Sequence, residues 1–425
     1  MRKRQSINLL KLGQTMCLMF TALTLLWALW TELPYTSTLF SLACIGGFAL
    51  VLLYAAPNIE ELKWKYIIPE YMYFFFWIAI MVIANEFFYA NHNKITFLFL
   101  TMDSHAIFFV RLLVAVIPFM FFVDQNKFKD TKLFKFILGA VIGTNAFYTF
   151  RAVQFYPDAI RARATMEMMD AEALLYATPD YSMVYGMALI FPVFLQKIKN
   201  AQTKSDRIIY LIFAALIFYV IMVSQFATAL LIAIIGSLIF FLFSMGGNKK
   251  VIVIIIIACL FFYVHVTKMD IALIDTLANS VQGIWSEKLH DISESLSGST
   301  LSGSLSARND LYQTSLKTFF ESPFFGLMAN PFSSLGGHAT AIDILGLTGI
   351  FGFIPFVLTI IYNFKRVCRT CNFPKNKASI IACNIEFIIL IFTKNIITAL
   401  AVFFAYFVLF PLILKVENES IEERK

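Results

Sequence analysis

The sequence predicts an all-α, polytopic integral membrane protein of about twelve transmembrane helices with one large extracytoplasmic loop. Composition is the first observation: 59% of the 425 residues are hydrophobic, 14% are charged, and the mean hydropathy is +0.75. A soluble domain has no interior large enough to hide that much apolar surface. Segment length is the second, because apolar runs repeatedly reach or approach the roughly 20 residues with which a helix crosses the hydrocarbon core. The third is the distribution of Lys and Arg, which gathers on one side of the alternating loops.

In order, the expected spans are residues 12–30, 36–55, 66–84, 107–123, 136–150, 176–195, 208–223, 226–243 and 251–266, then 341–364, 379–393 and 396–414. Residues 1–266 thus carry nine helices with short loops, 267–340 form the large loop, 341–414 carry three more helices, and 415–425 are a tail. The narrowest breaks are Ser224-Gln225 and Lys394-Asn395, where a single long tilted helix is the competing arrangement. The start Met1-Arg2-Lys3-Arg4 sets the N-terminus in the cytoplasm, and most of the 34 Lys and Arg residues then fall on that side. Both termini are therefore expected to be cytoplasmic, with the large loop outside. The first span reads as an uncleaved helix, since its apolar run is long and lacks a small-residue cleavage site. The net charge of +7 reflects membrane orientation and excludes nothing but a nucleic-acid role.

Cys17, Cys44, Cys259 and Cys383 lie in or beside spans, where a thiol is a small apolar side chain. Cys368 and Cys371 have the spacing of half a metal site, but no second pair and no histidine accompany them. The outward loops show no carboxylate cluster suited to a divalent ion, so metal-independent chemistry is expected. Charges within spans need partners or a wet cavity, because each costs roughly 2.5–3.5 kcal/mol on insertion scales. Glu70, Arg111 and Glu386 are such charges; Arg111 either pairs with Glu86 or Glu386 or belongs to a site.

The large loop has two parts. Residues 293–306 are Ser- and Gly-rich and read as a flexible linker. Residues 307–321 place Leu311, Tyr312, Leu316, Phe319 and Phe320 at the spacing of an amphipathic helix on the membrane surface, with Arg308 in its first turn. Ser322-Pro323 should end it. Gly326 follows, then Gly336-Gly337-His338 at the mouth of a span bearing Asp343. Glycines admit a bulky substrate close to the backbone, and a carboxylate entering the membrane calls for a reason.

The run Ser306-Ala307-Arg308, Leu311-Tyr312, Ser315-Leu316, Phe319-Phe320, Ser322-Pro323 and Gly326, followed by Gly337-His338, Asp343 and Gly349-Ile350-Phe351-Gly352, resembles the signature region of bacterial O-antigen ligases and Wzy-type O-antigen or capsular polysaccharide polymerases. The resemblance covers residues 308–352 as sequence and most of the chain as topology. Ligases carry a histidine followed, after ten residues, by Gly-x-x-Gly, and His338 with Gly349 and Gly352 keeps that spacing. The chain departs at Ala339, where ligases usually have Asn, Ser or Gln. It departs again at Ser224-Gln225-Phe226-Ala227-Thr228, which lacks the arginine many members carry there.

The resemblance implies a membrane-embedded glycosyltransferase at the outer face of the bacterial cytoplasmic membrane. It would move a glycan from an undecaprenyl or other polyprenyl diphosphate carrier to a sugar hydroxyl, with no cofactor. His338 would accept the proton of the incoming hydroxyl as general base. Arg308 would clamp the departing diphosphate through paired hydrogen bonds. Arg161, Arg163 or Arg111 would supply the second cationic contact, and Tyr312, Asp343 and Gly337 would line the substrate. The implied partners are a polyprenyl-diphosphate-linked oligosaccharide, the lipid bilayer and a chain-length regulator. Gly-Gly-His followed by Ala resembles polymerases, including those of capsule synthesis, more than ligases, which hand the glycan to lipid A-core of lipopolysaccharide or to another anchor. A flippase or transporter is the third possibility; the off-centre outward loop and the lack of related halves count against it.

Overall fold

The structure, a computed structural model, describes residues 64–89, 94–97, 100–125, 131–155, 159–160, 181–246, 269–280, 303–330 and 333–415, with a few isolated positions besides. The described chain is almost entirely helical. Helix α1 (Trp64–Phe87) leads to a hairpin of β1 (Lys94–Phe97) and β2 (Leu100–Asp103), then to α2 (Ser104–Gln125), α3 (Thr131–Phe155), α4 (Tyr181–Asn200), α5 (Lys204–Val223) and α6 (Ala227–Ser244). After α7 (Met269–Ser280) come α8 (Gly303–Glu321), a 3-10 turn (Gly326–Met328), α9 (Thr340–Thr370), α10 (Phe373–Thr393) and α11 (Leu400–Lys415). Seven of these, α1, α3, α4, α5, α6, α9 and α10, are long and apolar enough to cross a membrane, and α2 and α11 hold shorter apolar stretches. Every expected span within the described residues is thus helical. The spans expected at 12–30, 36–55 and 251–266 lie almost wholly outside them, so a total of twelve goes beyond what is described.

Helix α4 is the centre of the bundle: 78% of its span is buried, against α5, α6, α10 and α11. α1 packs on α2 and α9, α3 packs on α5, and α11 lies between α2 and α4. The outer faces leave Phe75, Phe76, Ile212, Leu238 and Phe241 uncovered, apolar side chains suited to lipid contact. Lipid tails are as apolar as these side chains, so the inside is distinguished by close packing and internal hydrogen bonds. Trp77 is fully buried among Phe109, Phe356 and Phe403, at ring separations of 5.9, 5.0 and 5.7 Å. Buried Arg366 donates to Asn363 Oδ1 at 2.9 Å and to the Phe407 carbonyl, which lies in a π-helical turn (Ala405–Leu409) where regular bonding lapses.

Glu70 finds its partner in Arg369, which donates to both carboxylate oxygens at 3.0 and 3.1 Å. Of the alternatives for Arg111, a pair with Glu386 does not form. Neither Glu386 oxygen has a hydrogen-bond partner, because α2 packs chiefly on α1, α11 and the hairpin, whereas α10 packs on α4, α6 and α9. Glu86 accepts the Asp103 amide at 2.6 Å and ties the hairpin to α1. The hairpin itself, in register Lys94 with Asp103, was not anticipated.

Two corrections concern the loop and the span that follows it. α8 begins at Gly303, inside the supposed linker, so Arg308 lies in the second turn and not the first. Its packed face is small and hydroxylic, Ser315 and Thr318, while Phe320, Phe324 and Phe325 stay exposed. α9 is two helices joined at Gly349, whose φ of 58° and ψ of −157° break the ladder. The amides of Ile350 and Phe351, deprived of helical acceptors, donate instead to the carbonyls of Pro323 and Phe324 at 2.9 and 3.1 Å. A Cβ on Gly349 would sit 2.4 Å from the Phe324 carbonyl carbon, and one on Gly326 would sit 2.2 Å from the Gly346 oxygen. Glycine alone permits this crossing. The Ser-Pro-x-x-Gly and Gly-x-x-Gly stretches are therefore two halves of one joint.

Candidate functional site

Five stretches meet at one end of the bundle: the start of α4, the α5–α6 turn, α8, the loop at 336–343 and the α10–α11 turn. Each is held by short-range bonding that the sequence permits. Asp343, 2% exposed in the first turn of α9, is the hub. Its carboxylate accepts from Ser315 Oγ at 2.7 Å, from the Gly337 amide at 3.1 Å and from the Ala339 amide at 3.0 Å. Ser315 in turn accepts from the Gly336 amide at 2.9 Å. An acid near a helix start that reaches back to the preceding amides acts much as the acid of a capping box does. Asp343 therefore positions His338 through the backbone and not by gripping the ring.

The other flank of the loop is fixed by the α10–α11 turn. The Lys394 carbonyl accepts from the Thr340 amide and the Thr340 hydroxyl, both at 3.0 Å. Asn395 Nδ2 donates to the Gly337 carbonyl at 2.9 Å, and the Ile396 amide donates to Thr340 Oγ1 at 2.7 Å. The His338 ring is half-buried beside Tyr312, 5.7 Å between ring centres, and its Nε2 is buried without a hydrogen-bond partner. Burial pushes its pKa down from 6.5 to about 4, aided by the positive charges of Lys394 and Arg308. The imidazole is thus neutral at physiological pH, with a nitrogen free to accept a proton.

Arg308 is half-buried and forms no ion pair with any described residue. Its charge bears on His338, on Tyr312 and on Tyr185 of α4. The Tyr185 ring lies 5.8 Å from the Phe226 ring and its hydroxyl is near Thr228, so the α5–α6 turn reaches the same place. Tyr181 approaches Thr398 at 3.5 Å, closing the circle to the α10–α11 turn. Burial raises the Tyr312 hydroxyl pKa, with Arg308 opposing and Asp343 adding to the rise. Burial likewise raises that of Tyr89, just beyond α1, with Asp343 and Asp103 adding to it.

Of the residues expected from sequence, His338, Arg308, Tyr312, Asp343 and Gly337 come together. Arg111 stands on α2, which packs chiefly on α1, α11 and the hairpin. Arg161 and Arg163 lie outside the described residues. Lys394, Tyr181, Tyr185, Thr228 and Tyr89 were missed. A signal existed for two of them: Lys394 is one of few basic residues expected outside, and Thr228 closes the stretch singled out for its missing arginine. Among the described residues no group of three or more His, Cys, Asp or Glu side chains is arranged to hold a metal ion. No protein-family model matches the chain, and no curated protein matches it.

Proposed function

We propose that this protein is a polysaccharide polymerase of the outer face of the bacterial cytoplasmic membrane, transferring a glycan from a polyprenyl diphosphate to a sugar hydroxyl of another lipid-linked repeat unit. The observation that carries this reading is a neutral histidine with an unpartnered, buried Nε2 beside an arginine that no described acid neutralises. Glycosyl transfer from a lipid diphosphate needs those two things. The acceptor hydroxyl must lose its proton as it attacks the anomeric carbon, and His338 takes it. The carbon–oxygen bond to the diphosphate breaks, and Arg308 stabilises the charge that the leaving oxygen gains. Tyr312 presents an aromatic face and a hydroxyl to the sugar, and Gly337 lets the backbone approach it.

The test is the surface polysaccharide of cells lacking the gene, complemented with wild type or with His338→Ala. A ladder collapsed to a single repeat, restored by wild type and not by the variant, is the expected result. Full-length glycan that accumulates on its carrier and never reaches an anchor would replace polymerase by ligase. An unchanged pattern would remove both and favour transport.

A further inference from the structure

Glu386 is the acid that neither the bundle nor the candidate site accounts for. It stands well inside the α10 span, fully buried, and neither carboxyl oxygen has a hydrogen-bond partner among the described residues. Polar neighbours along both helices are engaged elsewhere. Ser237 of α6 donates to the Ala233 carbonyl at 2.6 Å, while Asn384 donates to the Ile380 carbonyl at 2.7 Å and accepts from the Tyr406 hydroxyl at 2.6 Å. Yet α6 makes room for the acid. A Cβ on Gly236 would stand 1.6 Å from Glu386 Oε1, so the carboxyl occupies the notch that glycine leaves. An apolar side chain of like volume would fill that notch without stripping water from a polar group. The notch lies on a seam between the two helices: one turn along, Phe240 packs with Ala378 and Ala382. At the other end of the seam Phe226 lies on Tyr185, and Asn395 holds Gly337. Both helices therefore end in the site around His338.

We propose that Glu386 is an intramembrane proton-binding site, an uncharged carboxylic acid that keeps α6 closed on α10 and parts them when its proton is lost. The packing of the seam carries this whether or not the site transfers a glycan. An ionised carboxylate in such surroundings needs a counter-charge, hydrogen-bond donors or water, and the described residues of the closed seam supply neither of the first two. The central stretches packed on α10 carry no ionisable side chain: none between residues 186 and 196 of α4, 227 and 244 of α6, or 344 and 361 of α9. The titratable groups that face it are Cys383, one turn away on α10, and Tyr406 of α11, which stacks on Phe387 at 3.8 Å and gives its hydroxyl to Asn384. Neither brings a positive charge to balance a carboxylate. Holding the proton leaves the seam closed. Releasing it leaves an anion that water must solvate, and water enters only if the helices part.

The experiment uses the full-length protein in a detergent free of ester groups, read by infrared spectroscopy and by amide hydrogen exchange. At pH 7 wild type should show a carboxylic-acid carbonyl band that Glu386→Gln lacks; identical spectra in that region would mean an ionised Glu386 and overturn the proposal. Exchange is followed from pH 6 to 10 in peptides covering residues 232–240 and 382–390, corrected for the intrinsic rise of exchange with pH. Opening is linked to proton release, so rising pH favours the open seam. Protection in both peptides should fall by about tenfold or more between pH 7 and 10 in wild type and stay level in Glu386→Gln, which cannot ionise. Level protection in wild type overturns the switch without reference to any variant. A fall shared by residues 210–220 of α5, or one that persists in Glu386→Gln, is general alkaline loosening and overturns it too. Should Glu386→Gln fail to insert, Gly236→Ala takes its place: filling the notch should lower the protection of both helices already at pH 7, and unchanged protection would remove the notch and the proposal with it.

Discussion

At the residue scale the proposed transfer depends on a histidine that stays neutral. The pKa of His338 in the folded protein lies near 4, below the ordinary 6.5. The sign follows directly: the unprotonated form, the one able to act as base, dominates above about 4 and is lost as pH falls through that value. Transfer should therefore persist at pH 5.5, where an ordinary histidine would be mostly protonated, with the acid limb read from initial rates between pH 3.5 and 8. The same depression makes folding stability largest above 6.5 and progressively smaller toward 4. Asp343 is a positioning residue. Asp343→Ala strips the acceptor from two loop amides and Ser315, which should lower stability by about 1–3 kcal/mol in a thermal-unfolding measurement and reduce kcat more than it weakens donor binding. Arg308 and His338 were legible in the sequence because rare polar types stood out in an apolar chain. The part Asp343 plays was not, since five intervening residues become meaningful only after the loop has folded back.

Elements show the same division. Helices announced themselves by length and apolarity, and both narrow breaks, at Ser224-Gln225 and Lys394-Asn395, separate real helices. What escaped was the interruption of α9, because a single glycine in an apolar run looks like any other tolerated glycine. Its conformation matters more than its flexibility. Gly349→Ala places a side chain at φ 58° and against the Phe324 carbonyl, so the variant should lose more than about 1 kcal/mol, detectable as a lowered unfolding midpoint in detergent. Gly143→Ala meets nothing within 4 Å and should be stable or slightly more so, which separates the joint from a general helix effect. The hairpin after α1 was missed because its strands are four residues each, too short to establish an alternating pattern.

For the whole molecule, composition fixed the class and loop charge the expected sidedness, whereas neighbour relations stayed hidden. All spans are apolar, so nothing in their sequence marks α4 as the one surrounded on nearly every side. Sidedness is directly checkable. A reporter enzyme active only outside the cytoplasm should be active when fused after residue 290 and inactive when fused after residue 372; the reverse pattern would invert the topology and place His338 in the cytoplasm.

The site's five stretches also impose an order in time. Arg308 and His338 are made before Lys394 and Asn395, and the bonds that hold the histidine loop from its far side come from residues 394–396. A nascent chain that ends before that turn therefore lacks the hydrogen bonds that fix the histidine loop from this side. On the proposed reading the site is complete only when the turn after α10 arrives beside the loop, so a ribosome that stalls within α10 leaves in the membrane a protein whose histidine loop is held from one side alone.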